Sequence, residues 1–244
     1  MLTWTTTDQA AASQGIAALI YGESSMGKTT LAATLDPSNT VILSAEAGLL
    51  SLRKHKITAV EIHNLDDLNE AFDLVFSASM DWVKNVVLDS LTEIAEQILA
   101  NRKTVRTDAR QAYGDMGDGM IAIAKKFRDA PGKNKFLLCK QEFIQDETSN
   151  LMLSSPAMPG KKVGPQLPYL FDEVFKIGIG KDPTTKETFR YIQTQPDVNT
   201  RAKDRSGALE MYEPFELDPA TGFPVPGTGL ANIIAKITIK EGAQ

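Results

Sequence analysis

Gly22-Glu23-Ser24-Ser25-Met26-Gly27-Lys28-Thr29 follows the pattern G-x-x-x-x-G-K-[ST], and the chemistry that pattern serves is the anchoring of a polyphosphate. Glycines let the backbone fold tightly, so that successive N–H groups point at phosphate oxygens. A helix starting at the end of the loop adds the positive end of its dipole. Lys28 can reach the β- and γ-phosphates, and the Thr29 hydroxyl can sit on Mg²⁺. With ordinary residue usage the four fixed positions arise by chance in a chain of this length roughly once in 100. The flanks make chance less plausible still. Ile16-Ala17-Ala18-Leu19-Ile20-Tyr21 suits a buried strand, and Thr30 to Leu35 continues as a good helix former. A nucleoside triphosphate such as ATP, with Mg²⁺, is therefore the expected class of ligand. Its cradle is expected to be Gly22, Glu23, Ser24, Ser25, Met26, Gly27, Lys28, Thr29 and Thr30.

A polyphosphate site that does chemistry also needs carboxylates. Asn85-Val86-Val87-Leu88-Asp89 is an apolar strand delivering one acid at its end, so Asp89 joins Thr29 as a candidate for holding Mg²⁺, usually through water. Ser90 follows instead of a second acid, so a base that positions an attacking water must come from elsewhere. Glu46, at the end of the strand Thr40-Val41-Ile42-Leu43 and its tail Ser44-Ala45, is the best candidate, because ligands collect at the carboxyl ends of parallel strands. It could accept a proton from water or orient it. The alternative is a solvated glutamate in a loop.

The elements that must position these groups alternate along the chain. Asp36-Pro37-Ser38-Asn39 is a turn, and Ile57 to Ile62 is a third, weakly alternating run. Asn64 reads as the N-cap of a helix with Leu65, Leu68, Phe72, Val75 and Phe76 on one face. Leu91, Ile94, Ala95 and Ile98 form a second helical stripe. Asp108 to Gly119, with Gly114, Gly117 and Gly119, reads as a loop before a helix from Ile121 to Arg128, which Pro131-Gly132 ends. Phe136-Leu137-Leu138-Cys139 is another buried strand. Such alternation predicts an α/β fold with a mostly parallel central sheet and helices on both faces. Beyond Gln145 the periodicity weakens. Ser154 to Pro168 is a long irregular segment with Pro156, Pro159, Gly160, Gly164, Pro165 and Pro168, of the kind that is more often functional. Val174 to Ile179 and Phe189 to Thr194 suggest a C-terminal β-hairpin extension. Gly222 to Gly229 is rich in Pro and Gly, and Asn232 to Lys240 fits helix or strand. No repeat occurs.

Bulk properties narrow the class. The 244 residues, 42% hydrophobic and 23% charged, suit one domain: a segment 1–14, a nucleotide-binding core 15–145, and loops and strands over 146–244. No apolar stretch approaches a membrane span, and the N-terminus shows no secretory pattern. The single cysteine, Cys139, fits a reducing cytoplasm, and His55 and His63 come without the cysteine cluster of a zinc site. A net charge of −5 argues against coating nucleic acid with the whole surface, but leaves room for local basic loops.

Several of these segments, in order, resemble the RecA-type P-loop ATPases over about residues 15 to 145. Ser44-Ala45-Glu46-Ala47-Gly48-Leu49 looks like the strand end that carries their catalytic glutamate. Val87-Leu88-Asp89-Ser90-Leu91 resembles their magnesium strand, and Phe136-Leu137-Leu138-Cys139-Lys140-Gln141 the strand whose terminal glutamine senses the γ-phosphate. The short chain is most similar to the small RecA-core annealing proteins of bacteriophages. That resemblance implies ATP-dependent annealing or pairing of single-stranded DNA in recombination. It also implies a homo-oligomer, ring or filament, with a single-strand-binding protein as a further partner, in the cytoplasm of a bacterial host. Asn199-Thr200-Arg201-Ala202-Lys203-Asp204-Arg205-Ser206-Gly207 resembles the basic segment that reaches a neighbour's γ-phosphate, which would make Lys203 and Arg205 trans-acting cations; a solvated basic turn is the alternative.

For DNA the candidates are the glycine-bearing loop around Arg102 to Gly119, where Tyr113 could stack on a base, and the long Pro-rich loop containing Lys161 and Lys162, since basic residues on loops can track a phosphate backbone. A solvated lysine pair and a tyrosine packed on its own loop remain the alternatives. A ring-type motor or helicase-like ATPase is a rival reading. A small-molecule kinase would want an arginine-rich lid, and a GTPase an N-K-x-D sequence, which is lacking.

Overall fold

A computed structural model describes residues 4–6, 9, 13–46, 48–106, 108–146 and 149–242, and the backbone alone over 239–242. Ala47, within the segment that carries Glu46, lies outside the described residues, as does most of 1–14. The first half alternates strand and helix: β1 (Ala17–Gly22), α1 (Lys28–Leu31), β2 (Thr40–Ser44), β3 (Thr58–Glu61), α2 (Leu65–Val75), β4 (Asn85–Asp89), α3 (Leu91–Val105), α4 (Ala109–Asp129) and β5 (Asn134–Gln145). The second half is mostly strands: β6 (Met152–Pro156), α5 (Leu167–Leu170), β7 (Glu173–Lys181), β8 (Thr188–Gln193), β9 (Lys203–Asp204), β10 (Tyr212–Pro214) and finally α6 (Gly229–Gly242). The expected α/β fold is the one observed.

One sheet runs β10-β8-β7-β1-β5-β4-β2-β3, parallel from β7 to β3 and antiparallel where β8 and β10 extend it. Alternate residues of each parallel strand feed opposite cores, as the two-residue strand period requires. Leu19, Tyr21, Leu43, Leu88 and Leu137 pack with α2, α3 and α4 on one face. Ala18, Ile20, Ile42, Val87 and Phe136 pack with Leu31 of α1 and with Leu230 and Ile233 of α6 on the other. Both faces are covered, so the strands read as continuous apolar runs.

The structure corrects two sequence expectations, at 108–119 and at Lys203, and completes two others. Asp108 to Gly119 is not a loop: it is the N-cap and first half of α4, a 21-residue helix, so Tyr113 is helical. The Asp108 side chain caps it by accepting from Arg110 N–H. Burial of Ala112, Met116, Met120 and Ala124 at four-residue spacing overrides the glycine content. β5 does not stop with its apolar core, but runs on to Gln145 and turns back as β6, antiparallel to it. The ambiguous tail is the helix α6, whose Lys236 and Asn232 bond to the buried Glu213 of β10. Lys203 lies not in a basic turn but in β9, paired with Val174 of β7.

Candidate functional site

The loop after β1 has the backbone that a phosphate cradle needs. Ser25 and Gly27 are left-handed, at φ 66° and 101°, which turns successive N–H groups inward. Ser24 and Ser25 form a tight turn, and the N–H groups of Ser24, Ser25 and Gly27 take no protein acceptor among the described residues. The Lys28 ammonium closes the loop on itself, donating to the carbonyls of Gly22 and Glu23 at 2.9 Å each. Burial lowers its pKa below the ordinary lysine value, and the Glu46 and Asp89 carboxylates push it back up. Those contacts are ones an anionic phosphate can replace.

β4 brings Asp89 to the same place. Thr29 Oγ1 donates to Asp89 Oδ2 at 2.5 Å, although the two are 60 residues apart. Burial raises the Asp89 pKa; the Thr29 hydrogen bond opposes that, and the Glu46 charge adds to it. A buried carboxylate beside a hydroxyl is a hard oxygen donor pair, the kind a Mg²⁺ ion takes together with phosphate oxygens and water. The residues present fit that ion.

Glu46 is held from two sides. The Ala45 and Glu46 N–H groups donate to the Asp89 carbonyl at 2.6 and 3.3 Å, so the ends of β2 and β4 are tied together. The Ser90 hydroxyl donates to Glu46 Oε1. Ser90 also N-caps α3, accepting from Glu93 N–H at 3.2 Å. The loop after β2 brings Gly48 close enough that a Cβ there would stand 3.8 Å from Thr29 Oγ1. From β5, Gln141 reaches over the loop and donates through Nε2 to Glu23 Oε1 at 3.3 Å, while its Oε1 is buried without a partner.

The structure thus brings Lys28, Thr29, Asp89 and Glu46 together at the carboxyl ends of β1, β2 and β4, with Gln141 joining from within β5, one residue past the Lys140 that pairs with Gly22. Lys203 and Arg205 stand elsewhere. β9 pairs with Glu173 and Val174 at the start of β7, level with Ala18 at the beginning of β1. Lys203 donates to the Pro168 carbonyl, and Arg205 to Asp172 Oδ1 at 2.7 Å.

Tyr113, Lys161 and Lys162 are also brought together, on neither side of this cluster but around a groove of about 700 Å³ between α4 and the segment before α5. Arg110 and Gln166 share its lining. Tyr113 is 39% exposed; Gly160 lies against one edge of its ring and the Lys103 ammonium sits 5.1 Å above it. Sequence reasoning gave no role to the Ser90 hydroxyl, to Gly48 or to Arg110. The first two could have been suspected from their place beside Asp89 and Glu46; the third lies within the Arg102 to Gly119 stretch already considered for DNA, but was not singled out there.

A family model described as an AAA domain matches residues 14–206. The chain belongs to this AAA domain family. It is a P-loop ATPase. No curated protein matches its sequence. Among solved structures it is similar to the KaiC-like protein PH0186 of Pyrococcus horikoshii, at 17% identity and a TM-score of 0.46, over 87% of this chain and 90% of that one. It is also similar to the flagellar accessory protein FlaH of Methanocaldococcus jannaschii, at 10% identity and a TM-score of 0.45, over 89% and 92%. Among the described residues of this ATPase no helix is long and apolar enough to cross a membrane.

Proposed function

We propose that this ATPase acts on single-stranded DNA, annealing or pairing strands in recombination as the small phage proteins it resembles do. In this reading Lys28 and the loop amides from Gly22 to Thr30 hold the phosphates of ATP. Thr29 and Asp89 would hold Mg²⁺, which when bound neutralises charge on the phosphate oxygens. Glu46 orients water and takes its proton, with Ser90 fixing the carboxylate. Gln141 reports the state of the loop along β5, and a homo-oligomer is the working form.

The observation that carries the DNA reading is the groove. Three cations, Arg110, Lys161 and Lys162, and one partly exposed aromatic ring, Tyr113, line a single cleft on a protein that is acidic overall. Cations that track a backbone beside a stacking ring are what binding of single strands requires. The groove is also wired to the nucleotide end of the sheet. Thr92 of α3, two residues after Ser90, donates to the Ala157 carbonyl and accepts from Lys140 N–H, next to Gln141. In this reading those two hydrogen bonds would pass a shift near the ends of β4 and β1 to the chain that leads to Lys161 and Lys162.

The test is binding of a fluorescent oligonucleotide as salt is raised, with and without ATP, alongside ATPase activity. The expected results are tighter binding with ATP, hydrolysis stimulated by single-stranded DNA, and log affinity falling linearly with log salt. Replacing Lys161 and Lys162 together by Ala should flatten that slope and leave ATP affinity unchanged. A slope identical to wild type removes the groove from the DNA path.

A further inference from the structure

Arg190 of β8 makes no contribution to the site described above, yet it stands at its edge. It pairs with Ile179 of β7, beyond the level of Tyr21, which is in register with Lys176 near the end of β1. It shares a strand face with Ile192, two residues on, which is buried in the same core as Leu31 of α1. That face brings the guanidinium up to the phosphate loop. Nε lies 3.5 Å from the point a Cβ on Gly27 would occupy, and the ring of Phe215 lies 3.1 Å from the same point. A side chain at position 27 would therefore fill the contact between the loop and Arg190.

The chemistry of this arginine is unfinished. Its Nε is buried and has no hydrogen-bond partner. Nearby cations are committed: Lys28 to the Gly22 and Glu23 carbonyls, Lys140 to Glu93 and Glu96. A lysine in this position could shed its proton, but a guanidinium keeps its charge and its five donors. Buried donors in native proteins are paired as a rule, and an exception beside a functional loop asks for an acceptor from outside the chain. The acceptor that this loop is built to hold is a phosphate oxygen. A planar fork also offers what Lys28 cannot, two parallel donors to one phosphate.

We propose that Arg190 is a phosphate-binding residue of the nucleotide site, a second cation supplied by the same chain that supplies the loop. The proposal rests on the loop from Gly22 to Thr29 being the nucleotide site, and is independent of DNA binding.

Calorimetric titration of ATP and of inorganic tripolyphosphate into wild type, Arg190→Met, Arg190→Lys and Lys28→Ala tests it. Arg190→Met should keep the circular-dichroism spectrum and ligand-free melting temperature of wild type. It should bind both ligands at least ~10-fold more weakly, by similar factors, as expected for a lost charge-assisted contact. Arg190→Lys should recover part of the loss, which a merely packing role would not do. Wild-type affinity in Arg190→Met overturns the proposal. So does a loss confined to ATP with tripolyphosphate unaffected, which would place the contact on the sugar or base. Should Arg190→Met fail to fold, Arg190→Gln and Arg190→Lys are read by the same criteria. Equal ATP affinity in wild type and Lys28→Ala would instead overturn the loop as the nucleotide site, and the proposal with it.

Discussion

The Glu46 carboxylate is fixed by the Ser90 hydroxyl and by a backbone hung on the Asp89 carbonyl, so its position is set by the strand that also delivers Asp89, the acid proposed to hold Mg²⁺. A base that is held in place costs no reorganisation when it is used, which is where positioned groups gain their effect. Glu46→Gln keeps the shape and loses the proposed base. It should bind ATP as wild type does, while turnover falls ~10²-fold or more. Ser90→Ala leaves Glu46 in place and removes its anchor, so turnover should fall less, with KM little changed. Steady-state kinetics, together with nucleotide titrations, separate the two. Wild-type turnover in Glu46→Gln would mean that the proton goes elsewhere.

At the scale of elements, what was legible in the sequence was what is local and buried on both faces. β1, β2, β4 and the core of β5 are apolar runs because helices cover each side, and the Asn64 cap was readable because its side chain accepts from Asp67 N–H only three residues on. The phosphate loop was legible because its chemistry fixes residue types at fixed spacing. What was hidden depends on distant partners. Three glycines argue against a helix over 108–119, and only the sheet and α3 behind Ala112 and Met116 reverse that. Arg190 was not legible at all, since nothing in its neighbourhood along the chain points to Gly27. The glycines of α4 give a direct check. Gly119 has open space where a Cβ would go, whereas a Cβ on Gly117 would stand 3.2 Å from Val163. Gly119→Ala should therefore stabilise the protein by ~0.5–1 kcal/mol in urea unfolding, and Gly117→Ala should fall short of that or destabilise. A second element-scale check concerns Glu173 at the start of β7. Burial pushes its carboxyl up to about 8 from an ordinary 4.5, with the neighbouring Asp204 adding to the rise. An acid raised in the folded state is protonated there while ionised in the unfolded chain, so between these two values folding takes up a proton. Stability should then fall as pH rises from about 4.5 to about 8, by at most ~1.4 kcal/mol per pH unit, and stop falling through this group above that. Glu173→Gln, neutral throughout, should flatten that decline, and urea midpoints measured across this range will show whether it does.

For the whole molecule the open question is whether one chain completes the site. Lys203 lies level with Leu19, and Asp204, next to Arg205, level with Ala18, while the phosphate loop leaves β1 at Gly22, about 10–13 Å further along the strand. Their side chains are engaged at that far edge, so within one chain they do not serve the nucleotide, and any catalytic role they have is on a neighbour. Arg205 is available for one. Its partner Asp172 is 64% exposed and its own side chain 68%, and exposed pairs of this kind contribute ~0–1 kcal/mol. In the proposed homo-oligomer a neighbour's γ-phosphate would compete with Asp172 for this guanidinium. Arg190, by contrast, serves its own chain, and the two arginines should behave oppositely when mutants are mixed. Arg205→Ala and Lys28→Ala, each inactive alone, should regain part of the ATPase activity together, because one subunit's intact loop meets the other's intact arginine. Arg190→Met mixed with Lys28→Ala should gain far less, since neither subunit then holds an intact loop and its own Arg190. ATPase activity per subunit in wild type should also rise with concentration as the oligomer forms. If the Arg205→Ala and Lys28→Ala mixture stays inactive with co-assembly shown by light scattering, Arg205 is not a trans-acting cation, and its pairing with Asp172 is its structural role.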